Sequence, residues 1–127
     1  MNLFQKLKER PTPLRVGLIG AGKFAAMYLA QVPKTPGVQL VGIADLAPDN
    51  ARTNLKRVGW DEAKIPPITD NLEHLVADPR IDIIIEATGN PPAAVEHILG
   101  AFKNRKSWLE RKQEEEARRE HETWLRL

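Results

Sequence analysis

A short apolar run that ends in closely spaced glycines limits the folds open to this chain more than any other feature. The run covers residues 14–19 and is followed by Gly20 and Gly22, with Ala25 at the third position of a G-x-G-x-x-G/A pattern. Gly20 allows a tight turn out of a strand, and Gly22 lets backbone N–H groups approach a phosphate that a Cβ would keep away. The pattern predicts a strand, a turn and a helix that together hold a dinucleotide pyrophosphate.

The residues after the turn support this interpretation. Apolar side chains recur at helical spacing, which predicts a helix lying on a sheet; they are Phe24, Met27, Tyr28 and Val32. A second apolar run, residues 38–44, ends in Asp45, which lies 25 residues after Gly20 and is suited to hydrogen-bond the adenosine ribose. Two alternatives stay open: the glycines could form an ordinary strand–helix turn, and Asp45 could cap the next helix.

Strand and helix patterns continue to alternate along the chain. Helices are predicted over residues 49–58 and from Asp70 onward, with Asp70 as the cap and a very short strand at residues 68–69 between them. Residues 81–87 are apolar on both faces, as expected of a central parallel strand. A last helix opens at Pro91-Pro92, and its inward side chains are predicted to be Val95, Ile98, Leu99 and Phe102.

This alternation predicts an α/β fold with a doubly wound parallel sheet of the Rossmann type, in strand order 3-2-1-4. In that order the turns after strands one, two and four meet at one edge of the sheet. The candidate cofactor-binding residues gathered there are Gly20, Ala21, Gly22, Lys23, Phe24, Asp45, Thr88, Gly89 and Asn90. The sheet is expected to be incomplete, because no fifth strand pattern follows the last helix.

Three segments are predicted along the chain. Residues 1–13 form a short N-terminal helix and a linker, since Pro11 and Pro13 stop the helix. The apolar face of this helix, with Leu3, Phe4 and Leu7, is expected to pack back on the domain. Residues 14–102 form the dinucleotide-binding domain, and residues 103–127 form a charged helical tail.

Composition excludes several classes of function. The chain has 127 residues, a net charge of +2 and no cysteine, so disulfides and thiolate chemistry are excluded. Basic and acidic residues are interleaved in the tail, which argues against a nucleic-acid surface, and no apolar run is long enough for a membrane span or a signal peptide. We therefore expect a cytoplasmic protein. His74, His97 and His121 lack partners at metal-binding spacing, so no metal site is predicted.

With these motifs in place, the chain resembles the amino-terminal half of the homoserine-dehydrogenase-like NAD(P)-dependent oxidoreductases that carry a later SAF-type region. Deoxyxylulose phosphate reductoisomerase-like enzymes are relatives of that group. More distantly, the chain is similar to the glucose–fructose oxidoreductase and inositol dehydrogenase group. The matching segments are residues 1–4, 15–24, 41–45 and 84–91.

The resemblance implies a role for each candidate residue. Residues 20, 22, 23 and 24 would lie at the pyrophosphate, Asp45 at the adenosine ribose, and residues 88–90 near the nicotinamide ribose. Asp45 favours NAD because a carboxylate repels a 2′-phosphate, whereas the nearby Arg52 keeps NADP possible. Apart from the resemblance, Glu86 falls near the cofactor edge of the predicted sheet; it is interpreted as a satisfied carboxylate at the end of a strand, and a role in tuning the site stays open.

The likeness ends after Phe102, where no fifth strand or substrate domain is recognisable, so the catalytic residues stay unknown. The tail carries a capping box at Ser107 and Glu110 and acid-first pairs at Glu114–Arg118, Glu115–Arg119 and Glu122–Arg126, which predict a helix. Its apolar stripe is thin and consists of Leu109, Ala117, Trp124 and Leu127. This helix could be solvated, could dimerise over the exposed sheet edge, or could derive from a shifted reading frame. Two functions follow: the nucleotide half of a truncated oxidoreductase, or a non-catalytic nucleotide-binding or interaction module that uses the tail to bind a partner.

Overall fold

The computed structural model describes residues 2–125, including all of their side chains except those of residues 106–109, 111, 124 and 125. The strands are β1 (Leu14–Ile19), β2 (Val38–Ala44), β3 (Ile68–Thr69) and β4 (Ile83–Glu86). The α-helices are α1 (Leu3–Glu9), α2 (Ala26–Gln31), α3 (Pro48–Arg57), α4 (Leu72–Val76) and α5 (Pro91–Leu125). Short 3₁₀ turns cover Lys23–Ala25, Val32–Lys34 and Glu62–Lys64.

The four strands form one parallel sheet in the order β3-β2-β1-β4, which confirms the predicted fold. Val16 of β1 lies beside Leu40 of β2 on one side and Ile83 of β4 on the other. The expectation that the fourth strand is central is wrong, since β4 lies at the end of this strand order. The side chain of Ile83 is accordingly 42% exposed.

The larger part of the core lies between the sheet and helices α2 and α3. Its fully buried large side chains alternate between sheet and helices, and they are Leu18, Leu29, Ile43 and Leu55. A smaller cluster on the opposite face contains Ile19, Ala44 and Leu75 of α4. Burial of each large side chain contributes about 1.5–3 kcal/mol, so the α2–α3 face supplies most of the apolar stabilisation.

The helix after the glycine turn agrees with its prediction at Tyr28 and Val32 and differs from it at Phe24 and Met27. Phe24 and Met27 are 73% and 79% exposed, and the side chains that pack on the sheet are Ala25, Leu29 and Val32. The segment starts as a 3₁₀ turn before it becomes α2, and this shift in winding turns Phe24 and Met27 outward.

The cap of α4 is also one residue later than predicted. Asn71 is the N-cap, and its Oδ1 accepts a hydrogen bond of 3.0 Å from the backbone N–H of Glu73. Asp70 instead stands exposed just after β3, near the end of the sheet that carries the glycine turn.

The apolar face of α5 is largely exposed, contrary to the prediction that it points inward. The exposed fractions are 59% for Val95, 47% for Ile98, 63% for Leu99 and 69% for Phe102. The physical reason is that β4 is the last strand of the described sheet. Helix α5 therefore has sheet surface along one side, and the apolar side chains on its other side stay exposed.

Helix α1 forms as predicted and lies against the domain. Asn2 caps it by accepting a hydrogen bond from the backbone N–H of Gln5. The carbonyl of Leu7 lies so close to Gly37 (φ +80°) that a Cβ at that glycine would clash with it. The expected packing of Leu3 and Phe4 is largely absent, since they are 68% and 49% exposed.

The tail continues α5 without a break, so Ser107 and Glu110 do not begin a helix of their own. Of the predicted ion pairs, Glu115–Arg119 forms at 3.7 Å. The predicted pair Glu122–Arg126 and the apolar positions Trp124 and Leu127 involve side chains outside the described set. Within residues 2–125, no helix is both long enough and apolar enough to cross a bilayer.

We predict that Leu29 and Leu99 respond differently to truncation. Leu29→Ala should lower the free energy of unfolding by about 2–5 kcal/mol, because it leaves a cavity in the core. Leu99→Ala removes the same atoms from an exposed position and should change the free energy of unfolding by less than about 0.5 kcal/mol. Urea denaturation followed by circular dichroism measures both, and equal losses would contradict the burial described for α5.

Candidate functional site

Three turns enclose a cavity of about 370 Å³ at the carboxyl ends of β1, β2 and β4. Seven of the nine predicted site residues line it; they are Gly20, Gly22, Lys23, Phe24, Asp45, Thr88 and Asn90. Ala21 is fully buried behind the glycine turn, and Gly89 lies beneath the Phe24 ring. Strand order therefore brings together residues that are far apart in sequence.

The two glycines of the first turn have different physical requirements. Gly20 has φ +87°, and a Cβ there would lie 3.0 Å from the backbone N and Cα of Thr88. The turns after β1 and β4 thus pack backbone against backbone, which only glycine permits. A Cβ at Gly22 would meet no atom within 4 Å, so the space beside this residue is open to a ligand.

Asp45 and Asn54 hold the backbone of Ala21, the first at its N–H group and the second at its carbonyl. The carboxylate of Asp45 accepts hydrogen bonds from the backbone N–H groups of Ala21 and Ala47, each at 2.8 Å. The side-chain amide of Asn54, on α3, donates to the carbonyl of Ala21 at 3.0 Å. The glycine turn is therefore held in place by the protein's own side chains.

These hydrogen bonds decide whether Asp45 caps the next helix, and they reveal a contact of Asn54 that the sequence did not predict. Asp45 does not cap α3, because the N-cap is Ala47, which makes no side-chain capping bond. Asn54 was missed by the sequence analysis, since an Asn inside a predicted helix carries no signal of a partner 33 residues earlier. Asp45, by contrast, was predicted from its place at the end of the second strand and from its spacing from Gly20.

Phe24 covers the turn after β4. A Cβ at Gly89 (φ +72°) would clash with the Phe24 ring, so ring and backbone are in direct contact. The other face of the ring is open, as its 73% exposure shows. The exposed Phe24 thus belongs to the cavity wall and not to the core.

The cavity rim carries both charge signs. Lys23 stands exposed on the first turn, and Asp45 and Asp70 stand at the ends of β2 and β3. Across the described residues, no three His, Asp or Glu side chains are grouped as a metal ion would require.

Glu86 connects the end of β4 to the turn that follows and to α5. One carboxylate oxygen accepts hydrogen bonds from the Thr88 N–H at 2.6 Å and from the Thr88 hydroxyl at 2.8 Å. The other oxygen lies 2.5 Å from Nδ1 of His97. The interpretation of Glu86 as a satisfied carboxylate is confirmed, and His97, for which no partner at metal-binding spacing was predicted, has Glu86 as an acidic hydrogen-bond partner.

The ionised form of Glu86 is favoured in this setting. Burial is the largest influence and opposes ionisation, but the hydrogen bonds from the Thr88 N–H, from His97 and from the Thr88 hydroxyl outweigh it together. The pKa of Glu86 is consequently lower than that of an ordinary glutamate.

The fold and this cavity define the class: a dinucleotide-binding domain of the Rossmann type, with three turns meeting at the edge where such domains bind their cofactor. Residues 14–109 match the model of the GFO/IDH/MocA family, described as an oxidoreductase family with an NAD-binding Rossmann fold. The chain belongs to this family. It is the group that the sequence resembled more distantly.

A solved structure agrees with this assignment. The chain is 29% identical to a candidate oxidoreductase from Magnetospirillum magnetotacticum MS-1, with a TM-score of 0.56. The similarity covers 73% of this chain but 27% of the other, so the chain spans about a quarter of the length of that protein. No curated protein matches the sequence significantly.

We predict that Glu86 stabilises the fold fully above the pKa it has in the unfolded chain, and that this contribution is lost as the pH falls through its lower folded-state pKa. A lowered pKa means that the folded state holds the proton less tightly than the unfolded chain, so stability falls as the pH drops through the titration of Glu86. Glu86→Gln cannot titrate, so its stability deficit relative to the parent should shrink between pH 6 and pH 3. Urea unfolding at several pH values measures this difference, and a deficit independent of pH would contradict it.

Proposed function

We propose that the chain binds NAD(H) in the cavity formed by the turns after β1, β2 and β4, and orients it for hydride transfer. The observation that carries the proposal is the open space beside Gly22, next to a glycine turn held by Asp45 and Asn54. A turn that is already ordered loses little conformational freedom on binding. The nicotinamide ring would accept or donate the hydride, while the protein supplies binding and orientation.

Each part of the cavity suits one part of the dinucleotide. The N–H groups around Gly22 and the ammonium group of Lys23 would hold the pyrophosphate, with Phe24 alongside. Asp45 would accept hydrogen bonds from the adenosine ribose, since each carboxylate oxygen has a second lone pair beyond the one used by a backbone N–H. Residues 88–90 would lie near the nicotinamide ribose.

NAD is the cofactor that these contacts favour over NADP. Both oxygens of Asp45 are held by backbone N–H groups, so the carboxylate cannot easily turn away from a 2′-phosphate. The guanidinium of Arg52 lies 3.9 Å from the carboxylate of Glu62. The ammonium group of Lys56 lies 3.1 Å from the same carboxylate. Arg52 would have to leave this exposed cluster to neutralise a 2′-phosphate.

We propose further that the groups acting on the substrate are supplied from outside residues 1–127. Support comes from the apolar face of α5, where Ile98, Leu99 and Phe102 are exposed, and from the length of the similar oxidoreductase. Homoserine-dehydrogenase-like specificity stays a prediction from the sequence motifs.

The exposed apolar face of α5 also favours the second candidate function, a nucleotide-binding module that docks on a partner.

Gly22→Val should abolish NADH binding without loss of stability, because the new side chain enters space that the protein leaves open and that a phosphate would fill. Gly100→Val is the matched control, since a Cβ there also meets no atom within 4 Å and lies on α5 away from the cavity. NADH fluorescence titration measures affinity, and thermal unfolding checks the fold. Binding by Gly22→Val as tight as that of the parent would refute the proposed site.

Asp45→Asn should shift the preference from NADH toward NADPH by roughly 1–2 kcal/mol, because it removes the charge that repels a 2′-phosphate. The substitution also disturbs the turn, but this loss affects both cofactors and cancels in the ratio of their Kd values. The ratio is therefore the quantity to measure. An unchanged ratio would remove Asp45 from the ribose site.

A further inference from the structure

Glu86 and His97 are two titratable side chains that the proposed cofactor contacts do not use. They come from different elements, the end of β4 and the second turn of α5. Their side chains are 10% and 20% exposed, and they meet at 2.5 Å. Burial of a carboxylate is offset where the group is paired and hydrogen-bonded, and the partners of Glu86 come from the turn after β4 and from α5, both of which line the cavity.

A continuous series of hydrogen bonds runs from α5 into the cavity wall. His97 contacts one oxygen of Glu86, whose other oxygen accepts from the N–H and hydroxyl of Thr88. The Thr88 hydroxyl oxygen then accepts a hydrogen bond of 3.2 Å from the N–H of Asn90. Three polar groups of the turn are therefore ordered by one carboxylate and one imidazole.

The turn held in this way also fixes the glycine turn beside it. The backbone of Thr88 lies against Gly20, and Gly89 lies beneath Phe24. A displacement of Thr88 would therefore move two walls of the 370 Å³ cavity together. His97 itself lines this cavity and a second one of about 470 Å³ between α4 and α5.

We infer that Glu86 and His97 are positioning residues that hold the Thr88–Asn90 turn in the shape required to bind the dinucleotide. This inference rests on the proposed function. Neither residue needs to touch the cofactor: Glu86 acts through the backbone and hydroxyl of Thr88, and His97 acts by holding the Glu86 carboxylate in the orientation that reaches them. A conservative replacement that keeps the hydrogen bond should therefore keep the effect.

The test uses the full chain and three histidine variants. His97→Ala removes the contact to Glu86, whereas His97→Asn keeps an N–H donor near the position of Nδ1. His74→Ala is the matched control, since His74 lies exposed on α4 and lines neither cavity. Two readouts apply to each: the backbone amide shifts of Thr88 and Asn90 by NMR without ligand, and the Kd for NADH.

We expect His97→Ala to move the amide resonances of Thr88 and Asn90 and to weaken NADH binding by about tenfold, the scale of a lost hydrogen bond to a charged group. His97→Asn should restore most of the affinity, and His74→Ala should change neither readout. Glu86→Gln keeps the shape of the side chain and removes its charge. It should shift the Thr88 amide resonance upfield, and it provides the same test if His97→Ala fails to fold.

Two results would overturn the inference. Unchanged Thr88 and Asn90 resonances in His97→Ala and Glu86→Gln would show that the pair does not order the turn. Equal loss of affinity in His97→Ala and His97→Asn would show that the volume of the side chain matters and not its hydrogen bond. If the parent chain binds no NADH, the proposed function fails, while the ligand-free amide shifts still decide whether the pair holds the turn.

Discussion

The backbone contact between Gly20 and Thr88 is the constraint on which the rest of the site depends. It brings the turn after β1 against the turn after β4, at a distance that no other residue at position 20 would allow. Asp45 and Asn54 then fix the Ala21 peptide from one side, and Glu86 fixes Thr88 from the other. The cavity is thus shaped by side chains that bind backbone groups, before any ligand contributes.

The two faces of the sheet serve different ends. Helices α2 and α3 close a compact apolar core over β1 and β2, and this core provides the rigid base for the first two turns. The opposite face has a small cluster around Leu75 and leaves much of α5 exposed. The apolar stabilisation and the support for the first two turns therefore come mainly from one face, while the other leaves apolar side chains of α5 exposed.

Membership of an NAD-binding oxidoreductase family and the observed cavity support each other, but they concern different properties. The family match covers the fold and the class of cofactor. The hydrogen bonds at Asp45, Asn54 and Glu86 concern how this particular chain orders the turns that would meet that cofactor. Neither the family match nor these hydrogen bonds identifies a substrate.

Sequence alone determined the strand order, the glycine turn and the convergence of Asp45 with residues 88–90, because these follow from local periodicity and from the handedness of strand–helix–strand units. Only the tertiary structure decided which apolar side chains are buried: Phe24 and Leu99 fit a helical pattern, yet burial depends on a neighbouring surface that periodicity cannot supply. The same holds for the pairs Asn54–Ala21 and Glu86–His97. Side-chain hydrogen bonds between separate elements depend on distances of a few ångströms, which are set by packing and leave no spacing rule in the sequence.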